Sequence, residues 1–173
     1  MTVDKLKLGI RTIPNWPKKG IIFRDITPIL EDKDLFRLLI DELAKLVPDS
    51  PIDKVVGIDA RGFILASALA YKLGTGLVIV RKKGKLPYKT ISQEYALEYA
   101  SGNLEIHSDS IRPGENVLLC DDLLATGGTM RAASDLVQKL GGNIKGVLFF
   151  IVLESLRGIN QLSNFNVKYL VKF

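Results

Sequence analysis

Four short, uninterrupted apolar runs constrain this chain more than any other feature: Val55 to Ile58, Leu77 to Val80, Val117 to Cys120 and Val147 to Val152. None alternates apolar with polar residues, as a strand with one wet face would. Continuous runs of this length suit strands covered on both sides, as in a parallel sheet. Helical patterns lie between them. Gly62 to Leu73 is rich in Ala and Leu and closes at Gly74 and Gly76. Thr129 to Leu140 places Ala133, Leu136, Val137 and Leu140 on one face and stops at Gly141-Gly142. Strand, helix, strand in succession predicts right-handed crossovers and an α/β fold: a central, mostly parallel sheet flanked by helices. A further helix is expected to open at Asp34, read as its N-cap, with Leu35, Leu38, Leu39, Leu43, Leu46 and Val47 on one side. Pro48 and Pro51 end it, and Val167 to Val171 adds a last strand. Pro14, Pro17 and Gly20 punctuate an N-terminal arm that ends near Pro28.

The 173 residues fit a single domain, long enough to build a core without staples. The longest apolar run near the C-terminus, Val147 to Leu153, is far short of the ~20 residues a bilayer needs, and the first residues contain no apolar leader, so no membrane partner is expected. The single cysteine, Cys120, excludes an internal disulfide and fits a cytoplasmic setting; its place at the end of an apolar run makes it a core residue. There is no Cys/His cluster of the kind that holds zinc. A net charge of +5 suits anionic ligands, but mild surface charge for solubility explains it equally well.

The third apolar run leads directly into chemistry. Val117 to Cys120 is followed by Asp121-Asp122, then Leu123-Leu124, then Ala125-Thr126-Gly127-Gly128-Thr129. In open α/β sheets, ligands sit outside the carboxyl ends of the strands, where these acids fall. Adjacent carboxylates resist joint ionisation unless donors or cations compensate. Ribose hydroxyls are such donors, and Mg²⁺, which prefers oxygen and keeps much of its water, lowers the penalty further. The small-residue turn lets backbone approach an anion. The unpaired N–H groups of the following helix, with its dipole, favour phosphate there, and the Thr126 and Thr129 hydroxyls add donors. A Gly-Gly turn with no ligand is the bland alternative. The loop is not a Walker A sequence.

Two more strand ends carry loops suited to anions: Asp59-Ala60-Arg61-Gly62-Phe63 and Arg81-Lys82-Lys83-Gly84-Lys85. Arg61 can grip phosphate with two parallel hydrogen bonds, or can simply be ion-paired at a helix start; the lysines can equally belong to a solvated turn. Lys82 to Gly102 is long and polar for a connection in a compact domain, and reads as an active-site lid in the form of a hairpin, with a surface excursion as the alternative.

Taken whole, Val117 to Thr129 resembles the phosphoribosyl-pyrophosphate (PRPP) motif of type I phosphoribosyltransferases, in the form found in the adenine-specific enzymes. The resemblance covers most of the chain, from Gly20-Ile21-Ile22-Phe23-Arg24-Asp25-Ile26 to Glu154-Ser155-Leu156-Arg157-Gly158. It implies a type I phosphoribosyltransferase fold in one domain spanning 1–173, with a small N-terminal hood over about 1–33 and a flexible lid over about 82–105. It also implies a purine-salvage transferase, a pentosyl-transferring glycosyltransferase that converts adenine and PRPP to AMP and pyrophosphate, with Mg²⁺ as cofactor. The cofactor would be held mainly through PRPP and water, near Asp121 and Asp122. Asp121, Asp122, Ala125, Thr126, Gly127, Gly128 and Thr129 would bind ribose and 5′-phosphate. Ala60, Arg61, Arg81 and Lys85 would bind pyrophosphate, the last two sometimes across a homodimer. Adenine would lie against Phe23, Arg61 and Leu123, with backbone groups of Ile22 and Arg24 reading its edge. Glu98, in Tyr95-Ala96-Leu97-Glu98-Tyr99, would be the catalytic acid/base on the purine. Ala60 and Ala96 stand where relatives often have Ser, and Tyr88-Lys89 replaces a Gly-containing version of the lid.

The nearest rival is the same chemistry on hypoxanthine, guanine or xanthine. A PRPP-sensing regulator that binds nucleic acid is the rival of another class, and it is disfavoured because 173 residues leave no room for an added nucleic-acid-binding domain. No nucleic-acid partner is therefore expected. The sole histidine, His107, is read as a surface residue; Trp16 is read as an anchor of the hood or of a subunit contact.

Overall fold

The computed structural model describes residues 2–96 and 101–173. Its centre is a seven-stranded sheet built from β3 (Lys54–Ile58), β4 (Gly76–Lys82), β5 (Thr90–Ala96), β6 (Ser101–His107), β7 (Asn116–Leu124), β8 (Asn143–Val152) and β9 (Val167–Lys172). The spatial order is β5-β6-β4-β3-β7-β8-β9. From β4 to β9 every neighbour is parallel, whereas β5 and β6 form an antiparallel hairpin that joins the edge of β4. The four apolar runs occupy β3, β4, β7 and β8, and the expected lid hairpin is β5–β6. Residues 97–100, Glu98 and Tyr99 among them, lie outside the described residues.

Helices cover both faces, which is why these strands need no polar side. On one face α5 (Gly128–Lys139) buries Met130, Ala133, Leu136 and Val137 against Val56, Leu119, Val147 and Phe149. On the other, α3 (Lys33–Lys45) and α4 (Arg61–Leu73) bury Leu39, Leu43, Leu65 and Leu69 against Val55, Leu118, Cys120, Leu148 and Phe150. Fully burying a Leu or Phe contributes about 1.5–3 kcal/mol, so these two layers dominate the stabilisation. Cys120 is completely buried, and burial pushes its thiol pKa far up, as expected of a core residue. α4 ends at Gly74, whose φ of +68° makes it a left-handed C-cap. Among the described residues, no helix is long and apolar enough to cross a membrane.

Two expectations need correction. The cap of α3 is Asp32, not Asp34: its carboxylate accepts the Asp34 and Leu35 N–H groups at 2.9 Å each, and the helix begins at Lys33. Two acids flank one lysine here, and the earlier one has the donors of the first turn within reach. Strand β7 also runs past Cys120 through Leu124, because Asp121 pairs with Phe149 and Leu123 with Ile151 of β8.

The N-terminal arm has regular structure of its own. α1 (Thr2–Gly9) buries Leu6, and β1 (Arg11–Pro14) pairs antiparallel with β2 (Ile22–Asp25) in a separate two-stranded sheet. α2 (Thr27–Glu31) follows, started by Asp25, whose carboxylate accepts the Thr27 N–H and hydroxyl at 3.0 and 2.9 Å. The Thr27 N–H is the main reason the Asp25 pKa is held low, with Arg11 at 3.4 Å adding to it.

Candidate active site

A cleft of about 440 Å³ opens at the carboxyl ends of β3 and β7. Asp59, Ala60 and Arg61 line it from the turn between β3 and α4; Asp121 to Thr126, Gly127 and Thr129 line it from β7 and the start of α5. Two strand ends thus meet at one hollow, as expected for a parallel sheet.

The paired acids have different neighbours. Asp122 is 6% exposed, and its Oδ2 lies 2.6 Å from the Arg61 Nε. That contact pairs the buried oxygen with the guanidinium. Asp121 is half-buried, and its Oδ1 accepts the Asp122 backbone N–H at 2.9 Å. Burial raises the Asp121 pKa well above the ordinary carboxylate value, and the neighbouring Asp122 charge adds to the rise. Burial also raises Asp122, against the opposing pull of Arg61. Without a ligand, the pair resists carrying two charges. Hydroxyl donors or a cation would relieve that resistance.

The loop beyond the acids holds backbone donors open. Gly127 caps α5 at φ +91°, and no side chain caps the helix start. The first N–H groups of α5 are therefore left for a ligand, at the positive end of the helix dipole. The loop is shaped from behind. A Cβ on Gly127 would lie 2.6 Å from the Gly158 carbonyl oxygen, and a Cβ on Gly158 would collide with the Ala125 carbonyl oxygen. Gly158 lies in a short 3₁₀ turn after β8, and nothing in its local sequence pattern announces this packing.

Arg61 reaches two ways. Besides pairing with Asp122, its guanidinium carbon sits 5.2 Å from the centre of the Phe23 ring on β2. It thereby joins the hood to the cleft. Ile22 is exposed beside Phe23. The Arg24 side chain points elsewhere: its Nη1 donates to the Thr12 hydroxyl at 2.6 Å, and its guanidinium lies 3.7 Å from the centre of the Phe173 ring. Leu123 lines the cleft.

Arg81 and Lys85 stand at the rim, outside the cleft lining. Arg81 donates to Asp59 Oδ2 and to the Lys85 carbonyl, both at 3.2 Å, and Lys85 is exposed. Sequence reasoning gave no role to Asp59, which holds Arg81. It also missed Glu105, whose buried carboxylate accepts the Gly84 N–H at 2.9 Å and fixes the turn after β4. His107 is half-buried with an edge-on contact to Tyr88, rather than a surface residue.

An acid pair on a parallel strand and an uncapped helix start beyond it, in one cleft of an α/β fold, suit an enzyme for a phosphorylated sugar. Residues 28–155 match the family model described as the phosphoribosyl transferase domain, and the chain belongs to that family. Its relatives narrow the kind. The chain is 53% identical over 171 residues to an adenine phosphoribosyltransferase of Geobacter metallireducens, covering 99% of this chain and 100% of that one. Among solved structures, it is similar to adenine phosphoribosyltransferase from Thermoanaerobacter pseudethanolicus, with TM-score 0.97, 46% identity and 99% of each chain covered. The Saccharomyces cerevisiae enzyme, solved with an imino-altritol bisphosphate and adenine, matches at TM-score 0.93 and 40% identity over 98% of each chain.

Proposed function

We propose that the chain transfers the 5-phosphoribosyl group of PRPP to adenine, giving AMP and pyrophosphate. The observation that carries this reading is the meeting, in one cleft, of the Asp121–Asp122 pair with the uncapped start of α5. One half suits a diol and the other a phosphate monoester, the two ends of a single pentose phosphate.

In the reaction the N9–C1′ bond forms, the bond from C1′ to the pyrophosphate oxygen breaks, and pyrophosphate leaves with the electron pair. The purine loses one proton overall. Asp121 and Asp122 hold the ribose hydroxyls, and the backbone from Ala125 to Thr129 holds the 5′-phosphate. Positioned charge around an oxocarbenium-like ribose lowers the barrier. Ala60, Arg61, Arg81 and Lys85 take the pyrophosphate side, Asp59 aiming Arg81. Phe23, Arg61 and Leu123 flank the base, and backbone of Ile22 and Arg24 reads its edge. Glu98 takes the purine proton; it lies outside the described residues, so this role rests on the sequence.

The residues fit Mg²⁺: the cleft offers carboxylate and hydroxyl oxygens from Asp59, Asp121, Asp122, Thr126 and Thr129, and its adjacent acids resist double charge. On this reading the cation is held mainly through PRPP and its water, near Asp121 and Asp122. Bound there, Mg²⁺ would stabilise charge on the departing pyrophosphate. A homodimer belongs to the same reading: Ile64 and Tyr71 on α4 and Leu77 on β4 are exposed apolar side chains, Tyr71 at 92%. A cytoplasmic location, suggested by the one buried free cysteine, completes it.

Pyrophosphate release measured with PRPP, Mg²⁺ and each purine in turn tests the activity. Adenine should be the preferred base. Turnover with hypoxanthine or guanine but not adenine would overturn the assignment. Glu98→Ala should lower kcat with adenine well beyond twofold, and a change within twofold, under ~0.5 kcal/mol in the barrier, would remove its proton role.

A further inference from the structure

We propose that Trp16 is a positioning residue for the purine: it braces Phe23 and so sets where the base can lie. The inference rests on the adenine reading above. The Trp16 and Phe23 rings are 4.4 Å apart between centroids, inclined at 60°, an edge-on aromatic pair. The Arg61 guanidinium also lies 5.2 Å from the centre of the Phe23 ring. The Phe23 ring thus contacts both an aromatic side chain and a cation, and Arg61 is itself tied to Asp122.

Trp16 is an unusual brace, since the residue is 50% exposed and belongs to no strand or helix. Its position comes from the loop that joins β1 to β2. The Trp16 N–H donates to the Ile21 carbonyl at 3.2 Å, and the Ile21 N–H donates to the Lys18 carbonyl at 3.1 Å. The Asn15 side chain accepts the Gly20 N–H at 2.9 Å, with Asn15 itself at φ +59°. These bonds close the loop on itself and hold the indole against β2. A large apolar side chain left half in water, yet pinned by its own loop, is poorly explained by core stability. Its ordered contact is with the residue that flanks the base. Trp16 acts through Phe23, so it should govern adenine affinity and leave the handling of the pentose phosphate alone.

As the only tryptophan in the chain, Trp16 also reports on itself. Adenine added to the wild-type protein should change its emission, and PRPP alone should change it far less. Steady-state kinetics complete the test. Trp16→Ala should raise the KM for adenine by about three- to tenfold, the range an aromatic pair supports. KM for PRPP and kcat should stay within about twofold, and Trp16→Phe should restore most of the loss. An unchanged adenine KM in folded Trp16→Ala, or equal rises in both KM values, would overturn the proposal. If Trp16→Ala does not fold, the wild-type emission and the Trp16→Phe kinetics decide: no adenine-dependent change in emission would overturn it. A wild-type protein that turns over another purine and not adenine would overturn the assigned base. With adenine turnover intact, a silent Trp16 would sink this inference alone.

Discussion

Gly62→Ala pushes directly on the carboxylate assigned to the ribose. Gly62 is buried in the first turn of α4, and its backbone is not left-handed, so a methyl group brings no dihedral strain of its own. Its Cβ would stand 2.5 Å from Asp121 Oδ1, 3.2 Å from the Asp121 Cγ and 3.3 Å from the Cys120 carbonyl oxygen. Ordinary contact begins at 3.4 Å, so the carboxylate must retreat by about 0.9 Å in a close-packed setting. That retreat breaks the 2.9 Å bond from the Asp122 N–H and moves the acid away from where the proposed ribose hydroxyl would lie. A misplacement of about 1 Å near a reacting centre can cost on the order of 100-fold, about 2.7 kcal/mol in the barrier. Overpacking should also lower stability by about 1–3 kcal/mol, or roughly 2–10 °C in Tm for a domain of this size. The assay is pyrophosphate release against PRPP concentration, with thermal unfolding alongside. A variant whose Tm falls while kcat/KM for PRPP stays within about threefold would refute the argument, since the carboxylate would then have moved without consequence.

Other outcomes follow from the same geometry. The Asp121 pKa is raised in the folded state above its unfolded value of 3.8, so the folded chain holds a proton that the unfolded chain releases. Stability from this group is fully present below the ordinary carboxylate range and is lost as pH rises through the raised value. Asp121→Asn should therefore be more stable than the wild type at neutral pH, with the gap closing towards about pH 4, in urea titrations across that range; a less stable variant at neutral pH would contradict the sign. Arg61→Ala leaves Asp122 buried beside another acid. With Arg61 itself 38% exposed, the loss should be about 2 kcal/mol, between the values for exposed and buried pairs, and KM should rise for both substrates. A rise for PRPP alone would show that the contact with Phe23 does nothing. Phe173→Ala removes the ring beneath the Arg24 guanidinium and should weaken adenine binding by about 0.5–1 kcal/mol in calorimetry; unchanged affinity would mean that Thr12 suffices to hold Arg24.

The sheet was legible because burial on both faces writes itself as unbroken apolar runs: β3, β4 and β7 each begin one residue before such a run, and β8 ends on one. The cleft was legible where a residue type serves one chemistry at one strand end, as with Asp121, Asp122 and Arg61. Acids are poor strand formers, which hid the continuation of β7 through Leu124; its pairing with β8 overrides that propensity. The four-residue strands β1 and β2 were hidden by the prolines and glycine around them. Contacts that join distant parts of the chain leave no pattern at all. Arg24 on Phe173, Asp59 on Arg81 and Gly127 against Gly158 each depend on where the finished fold brings two segments together.

The bare backbones at Gly127 and Gly158 lean on one another with no room for a side chain on either. The loop proposed to hold the phosphate is thus shaped by the chain's own backbone, and on that reading little ordering entropy is lost there on capture. An inhibitor aimed at this end of the cleft must match a fixed shape, and the latitude for new chemistry lies at the base end.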